Sequence, residues 1–518
     1  MATETELKLA ARAGDLPALR RALETMAASP GIAARSSRTR LVSTYYDTPD
    51  HALARRGSTL RVRRDRGKYV QTVKSGGGPD DSGLARGEWE DRVASERPDP
   101  HARQTGAFLS PEIAAALRPV FRTEVSRTTI PLAPEPATRI EAAIDRGRIR
   151  DGDESPAEPI SEVELELKSG QPTALYDVAL QLLHVAPLRL ERRSKAERGY
   201  RLAAHAEPAA KAVHAPPLGL SAGLTAEAVL RRAGRAGLEH LLANEDAVLA
   251  GNAEGIHQMR VAIRRLRAVL STFAPLLPPE QRRWASRELR WFADILGEPR
   301  NLDVFADELL RPARAALPDA SEFERLALAA ERRRRAAQAS VVKAISSRHY
   351  TETLLALMRW FDGYEWCLAE STALQEPVEV IAPVLLDRCR RRTEKRAGNF
   401  AGQSAKKRHR LRIALKKLRY TAELFASLYD AAATKQFIHR LKRLQDDLGA
   451  ANDVRVARDI IAGLAPADKR STGIAHAGKR MLTWHERRIG KNEPDLRRHL
   501  DDLLAAEPFW QPVEVHGG

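Results

Sequence analysis

Charged and uncharged residues alternate along six short stretches in the first 170 residues of this chain. Glu4, Glu6 and Lys8 are separated by Thr5 and Leu7. Arg61 and Arg63 flank Val62, Thr72 and Lys74 flank Val73, and Glu88 and Glu90 flank Trp89. Glu141, Ala143 and Asp145 alternate with Ala142 and Ile144, and Glu162, Glu164 and Glu166 alternate with Val163, Leu165 and Leu167. Successive side chains of a strand point to opposite faces. Each stretch therefore reads as a strand with one charged and one largely apolar face. A single charged face is normally solvated. Repeated over so many strands, such faces are hard to leave in bulk water while the opposite faces are buried. The simplest solution is a closed antiparallel barrel, with its apolar face outward beneath helices and its charged face lining the interior.

Acids and cations confined together need partners, because an unpaired buried charge is costly. A polyanion with a divalent metal satisfies both sets. Carboxylates hold a hard cation through oxygen, and Arg and Lys hold phosphates.

Further elements follow from local signals. Asp15 with Pro17 marks the start of a helix running to about residue 28, and Ser110-Pro111 starts a short one. Strands are expected near 40–47, 58–66, 68–75, 86–94, 120–132, 137–150 and 160–168. A helix is expected over 172–185, followed by a strand and the segment Lys195–Tyr200.

These residues resemble the signature of the CYTH family, the triphosphate tunnel metalloenzymes. The resemblance is carried in order by Glu4-x-Glu6-x-Lys8, Tyr46-Asp47-Thr48, Leu60 to Arg63, Thr72-Val73-Lys74, Arg86-Gly87-Glu88, Arg127, Glu141 to Gly147, Glu162 to Gly170 and Lys195 to Tyr200. It covers residues 1–205 and implies hydrolysis of a linear triphosphate. By chemistry, Glu4, Glu6, Glu164 and Glu166 are the leading metal-holding carboxylates, followed by Asp145, Glu141 and Glu162. A tunnel can also use a carboxylate to orient an Arg. Lys8, Arg61, Arg63, Lys74, Arg127 and Lys195 are the phosphate-holding cations. The expected cofactor is a divalent metal, Mg2+ or Mn2+.

Beyond a Pro-containing linker at 206–223, the period becomes helical. His257-Gln258-Met259-Arg260 through Arg267 aligns with His409-Arg410-Leu411-Arg412 through Arg419, an offset of 152 residues. The same offset joins Leu296-Gly297 to Leu448-Gly449. Two matches at one offset argue for duplication and a pseudo-two-fold all-helical bundle over 224–510. At roughly 3.6 residues per turn, His257, Arg260, Arg264 and Arg267 share a face, with Arg265 beside them. His409, Arg412, Lys416 and Arg419 repeat it, with Lys417 beside them. No acid interrupts either row, which costs like-charge repulsion and favours an anionic ligand.

Charge distribution agrees. The net charge is +17, yet residues 1–205 hold 33 Lys+Arg against 29 Asp+Glu, so most of the excess lies in the helical part. The repeat resembles the CHAD family, which implies binding of inorganic polyphosphate. Nucleic acid is disfavoured as a partner, since aromatics that could stack bases are only 5% of the chain.

The expected architecture is thus α+β and multidomain: a β-barrel tunnel with outer helices, then a helical bundle. The expected activity is conversion of inorganic triphosphate to pyrophosphate and phosphate. The alternatives are an adenylate cyclase or a nucleoside or thiamine triphosphatase of the same fold, or a non-catalytic polyphosphate-binding scaffold. Intact acidic positions argue against the scaffold, because they would repel its ligand. Only Cys367 and Cys389 occur, which gives no disulfide framework. With no targeting or membrane segment expected, the placement is cytoplasmic, with association to polyphosphate granules.

Overall fold

The computed structural model describes residues 3–28, 36–75, 85–152, 156–204, 211–317, 320–363, 366, 372–465 and 472–511. The chain forms two units, one of residues 1–209 with 346–362, the other of residues 210–345 with 363–518.

The first unit is built on nine antiparallel strands: β1 (Thr3–Ala11), β2 (Ser37–Asp47), β3 (Ser58–Asp65), β4 (Lys68–Ser75), β5 (Ala85–Val93), β6 (Arg118–Leu132), β7 (Arg139–Arg150), β8 (Glu158–Ser169) and β9 (Leu188–Leu190). Their order is β5-β4-β3-β2-β6-β7-β8-β1-β9, and β1 also pairs with β5. The sheet therefore curls into a tunnel. Among the described residues its edges meet where Thr3–Thr5 face Ala85–Gly87. From Leu9 onward that edge of β1 is taken by β9. The expected closed barrel is thus closed over three residue pairs among the described residues.

The alternation sets the faces. Leu7, Leu9, Ile140, Ala142, Ile144, Val163 and Leu165 bury the outer side beneath α1 (Leu16–Ala27) and a later helix, Thr173–Leu183. Asp15 stands at the start of α1 but makes no side-chain cap bond; its own backbone is helical (φ −89°, ψ −18°). An effective cap residue has extended backbone, which turns its oxygen toward the free N–H groups. On the opposite side, Leu60, Val62 and Val73 pack on Leu53 of α2 (Ala52–Arg55) and Ile113 of α3 (Pro111–Ala116). Ser110 caps α3 as expected, accepting from Ile113 N. With the helix Thr173–Leu183 as α4, the last helix of residues 1–209 is α5 (Lys195–Ala203).

Asp47 ties β2 to its surroundings. Fully buried, it accepts backbone N–H bonds from Thr48, Leu53 and Ala54, and the Tyr200 hydroxyl donates to it at 3.0 Å.

The helix Arg348–Asp362 comes from the stretch expected to belong wholly to the helical domain, yet it packs in the first unit. Leu355 is fully buried in the core beneath α4. Tyr176 donates to Asp362 at 2.6 Å, Arg359 pairs with Asp177, and Thr351 donates to the Leu188 carbonyl at 2.8 Å. Leu355→Ala should destabilise this unit by about 2–5 kcal/mol, read as a lower unfolding temperature. A fragment ending at residue 205 should show a similar loss, recovered when residues 346–362 are restored.

The second unit is helical. Its stretch 211–223, expected as linker, is hydrogen-bonded to helices of that unit. Val213 N donates to Asn244, and Leu220 N donates to Ser427. The first-repeat helix is Ala253–Thr272 and the second-repeat helix is Ala405–Phe425. Met259, Ile263 and Leu266 are buried, as are Leu411, Leu415 and Leu418. Phe273 and Phe425, equivalent at the 152-residue offset, meet with ring centroids 6.3 Å apart. Equivalent residues in contact mark the pseudo-two-fold axis. Among the described residues no helix is long and apolar enough to cross a membrane.

Candidate active site

The register of β6, β7, β8 and β1 sorts the charged face into three rungs. One runs Arg127–Asp145–Glu162–Ala10, the next Thr129–Ala143–Glu164–Lys8, and the third Pro131–Glu141–Glu166–Glu6. Directly opposed residues on one face interact, so the rungs decide which charges meet.

The first two rungs are neutralised from within the chain. Ser194 opens α5 with a capping box: its hydroxyl accepts from Glu197 N at 3.1 Å, and Glu197 accepts from Ser194 N at 2.6 Å. Lys195 is consequently held in the first turn, where a helix dipole disfavours a cation. Carboxylates compensate. Lys195 Nζ lies 2.7 Å from both Asp145 and Glu164 and also pairs with Glu162. Burial alone would lower its pKa, but Glu164, Asp145 and Glu162 outweigh it and hold the ammonium well above its usual range. Arg127 forks onto Asp145 at 2.8 and 2.6 Å and reaches Glu164. Glu164 is held well below the usual carboxylate range: burial opposes ionisation, and Lys195, Arg127 and Lys8 override it. Arg198 adds a bond to Glu162 at 3.1 Å and one to Glu158 at 2.7 Å. The helix approaches this closely because of Gly199, where a Cβ would lie 2.1 Å from the Phe121 ring.

Oxygens of Asp145, Glu162 and Glu164 lie within 4.8 Å of one another, a buried acidic group that could hold a metal ion. The same oxygens are the partners of Lys195, Arg127 and Arg198. The third rung differs. Glu141 makes no hydrogen bond or ion pair among the described residues. Glu166 pairs with the more exposed Lys168, and Glu6 lies 3.0 Å from Lys8. Glu4 precedes Glu6 by two positions, and its side chain lies outside the described residues.

The other side of the tunnel carries cations. Arg61 opposes Thr72, which opposes Glu90, while Lys74 opposes Glu88. Glu88 lies 3.5 Å from Arg61 and 3.1 Å from Lys74; Glu90 lies 3.4 Å from Arg63 and accepts from Thr72. The field of Arg61, with burial and Arg127, lowers the Arg63 pKa. The Nε groups of Arg61 and Arg63 are buried without an acceptor, which suits an anionic ligand. Glu88, Glu90 and Arg198 are site residues to which the sequence reading gave no role, although it set Glu88 and Glu90 on the charged face and Arg198 within the Lys195–Tyr200 segment. Their signals were present: an alternating pair on β5, and a residue three positions after Lys195 on one helix face.

In the helical unit, most of the repeated cations lack acid partners. Among the described residues His257, Arg260, Arg264, Arg412 and Lys416 form no ion pair, and the Nε groups of Arg264 and Arg412 are buried without an acceptor; Arg419 Nε pairs with Glu423 at 3.5 Å. The rows meet at Tyr420, whose ring lies 5.3 Å from the Arg264 guanidinium and 4.7 Å from that of Arg419. Burial and neighbouring arginines push His257 and His409 below the usual imidazole value. Arg392, Arg396 and Arg267 act as like charges on Lys417. Arg265 acts as a like charge on Arg264 and on buried His240. The duplicated glycines lie beside the rows. A Cβ on Gly297 would lie 3.2 Å from Arg260 Nη1, and one on Gly449 3.7 Å from Arg412 Nη2. Each repeat pairs its glycine with the equivalent arginine.

Family models match both halves: CYTH domain over residues 2–200 and CHAD domain over residues 232–462. The chain carries a CYTH domain followed by a CHAD domain. The chain is similar to an inorganic triphosphatase of Haemophilus influenzae, 33% identical over 163 residues, 31% of this chain and 46% of that protein. An uncharacterized protein of Mycobacterium tuberculosis is 31% identical over 233 residues, 43% of this chain and 42% of its own length. The matched stretches span less than half of either relative. The crystal structure of the CHAD domain from Ricinus communis aligns with a TM-score of 0.50 at 26% identity, covering 57% of this chain and 98% of that one.

Proposed function

We propose that the CYTH tunnel hydrolyses inorganic triphosphate, with water, to pyrophosphate and phosphate, and that the CHAD domain binds inorganic polyphosphate. The observation that carries the reading is the division of the tunnel face. Arg61 and Arg63 offer buried N–H groups without acceptors, and the tunnel face also carries a carboxylate rung in which Glu6 and Glu166 pair with Lys8 and Lys168 while Glu141 has no partner among the described residues.

Glu6, Glu141 and Glu166, with Glu4, would hold a divalent cation, Mg2+ or Mn2+. All are oxygen donors suited to a hard ion, and Glu141 is without a partner among the described residues. When bound, such an ion supplies neutralisation of charge on phosphate oxygens. The chain's residues do the remainder. Arg61, Arg63 and Lys74 hold phosphate oxygens while Glu88 and Glu90 set their geometry. Lys8, between Glu6 and Glu164, places an ammonium between the two carboxylate rungs. Asp145, Glu162 and Glu164 keep Lys195 and Arg127 charged and fixed, so both enter the reaction pre-organised. The inorganic triphosphatase similarity supports this substrate class. Polyphosphate binding would bring the protein to cytoplasmic polyphosphate granules.

Phosphate release from tripolyphosphate, ATP and thiamine triphosphate, each with Mg2+, Mn2+ or EDTA, tests the reading. Metal-dependent release fastest from tripolyphosphate is expected. A preference for either organic triphosphate would move the assignment to a nucleoside or thiamine triphosphatase. No release from any substrate would leave a binding scaffold.

A further inference from the structure

The duplicated helices of the CHAD domain correspond at His257 and His409, Arg260 and Arg412, Arg264 and Lys416, and Arg267 and Arg419. The next position breaks the correspondence. Tyr420 stands where the first repeat has Ala268. Both are buried, at 7% and 8% exposure. The arginines that precede them differ as well: Arg419 is half-buried, whereas Arg267 is exposed.

We propose that Tyr420 is a positioning residue of the polyphosphate site. Its ring holds Arg264 of the first repeat and Arg419 of the second together, so that one chain of phosphates meets guanidinium groups of both repeats already in place. The inference rests on the polyphosphate-binding reading above.

The geometry around the ring carries the argument. The Arg264 guanidinium lies 5.3 Å from the ring centroid and that of Arg419 lies 4.7 Å from it. Two like charges gathered on one ring repel, and the negative π face offsets part of that cost. Arg419 has two further ties. Its Nη2 donates to the Tyr420 hydroxyl at 2.8 Å, and its Nε lies 3.5 Å from Glu423. Arg264 has neither kind of tie. It forms no ion pair among the described residues, and its Nε is buried without an acceptor. The ring therefore fixes its guanidinium while leaving donor capacity for an anion.

The ring is itself held. Besides its burial, the residue after it, Thr421, meets Thr272 of the first-repeat helix hydroxyl to hydroxyl at 2.7 Å. That contact fixes the crossing of the two helices beside Tyr420. Ala268 offers Arg267 no ring, so the duplication supplies this arrangement once, with Arg264 crossing from the other repeat to share it.

The gain is pre-organisation. An arginine that is loose in the free protein must be ordered when it takes phosphate, which weakens affinity roughly two- to tenfold for each side chain. The test is the affinity of the full chain for long-chain inorganic polyphosphate in EDTA, measured over a series of salt concentrations. Y420M fills similar space without a π face and should bind about tenfold more weakly. Both arginines keep their charge in that variant, so the slope of log affinity against log salt should stay at the wild-type value. R264A should reduce that slope by roughly one. Y420F keeps the ring and should stay within about threefold of wild type. R264K keeps the charge, loses the planar group that stacks, and should bind severalfold more weakly. It leaves the buried tyrosine untouched, so it decides the matter where Y420M fails to fold.

Wild-type affinity in Y420M or R264K would overturn the inference and leave polyphosphate binding standing. So would a loss in Y420F equal to that in Y420M, or a salt slope reduced in Y420M. Absence of polyphosphate binding by the wild type would instead remove the binding reading, and the inference with it.

Discussion

Glu6→Gln and Glu166→Gln should each lower triphosphate turnover by more than about 100-fold, the upper end of what losing an outer-shell partner costs a metal site. Their rung lacks the compensation that Lys195, Arg127 and Arg198 give to Asp145, Glu162 and Glu164. Gln keeps the side-chain shape and removes the charge, so unfolding temperature should change little. Glu162→Gln should, unlike these, also lower the unfolding temperature. Glu162 is 2% exposed and holds both Lys195 and Arg198. Removing one member of a buried ion network leaves uncompensated charge and typically costs about 3–5 kcal/mol. Paired measurements of turnover and unfolding temperature on the three variants separate the roles. Glu6→Gln or Glu166→Gln with wild-type turnover would remove the metal-holding assignment from this rung.

Charge reversal in the CHAD rows is the second large effect expected. Arg260→Glu with Arg264→Glu should weaken polyphosphate binding by about 100-fold or more at low salt, because polyanion affinity scales with phosphates neutralised. Arg412→Glu with Lys416→Glu should cost a similar amount, since Arg264 and Arg419 converge on one ring at Tyr420. Wild-type affinity should also fall steeply with added salt. Fluorescence titration with labelled polyphosphate at several salt concentrations reads both. Unequal losses would place the ligand on one repeat; unchanged affinity would make these rows ordinary surface.

Most of the tunnel was legible because a period of two is a strong signal. Val163 and Leu165 point outward, Glu162 and Glu164 inward, and nothing beyond alternation is needed to know it. What alternation cannot express is register. That Glu166 opposes both Glu141 and Glu6, while Glu162 opposes Asp145, depends on how three strands slide past one another. The same holds for Lys195. Its position in the sequence motif is plain, but its insertion among three carboxylates requires the Ser194–Glu197 capping box and the close approach allowed at Gly199. Amphipathic character marks Arg348–Asp362 as a helix without saying which core receives Leu355. In the CHAD half, the 152-residue offset was readable from residue identities. That its glycines lie beside Arg260 and Arg412 appears only when the helices are packed.

The central claim is a tunnel that splits inorganic triphosphate with a divalent metal. The most direct measurement is the time course of phosphate and pyrophosphate from tripolyphosphate by the full chain, with Mg2+ or Mn2+ and then with EDTA added. The account predicts one phosphate for each pyrophosphate, with turnover stopping on chelation. Undiminished release in EDTA, or none with either metal, would contradict it.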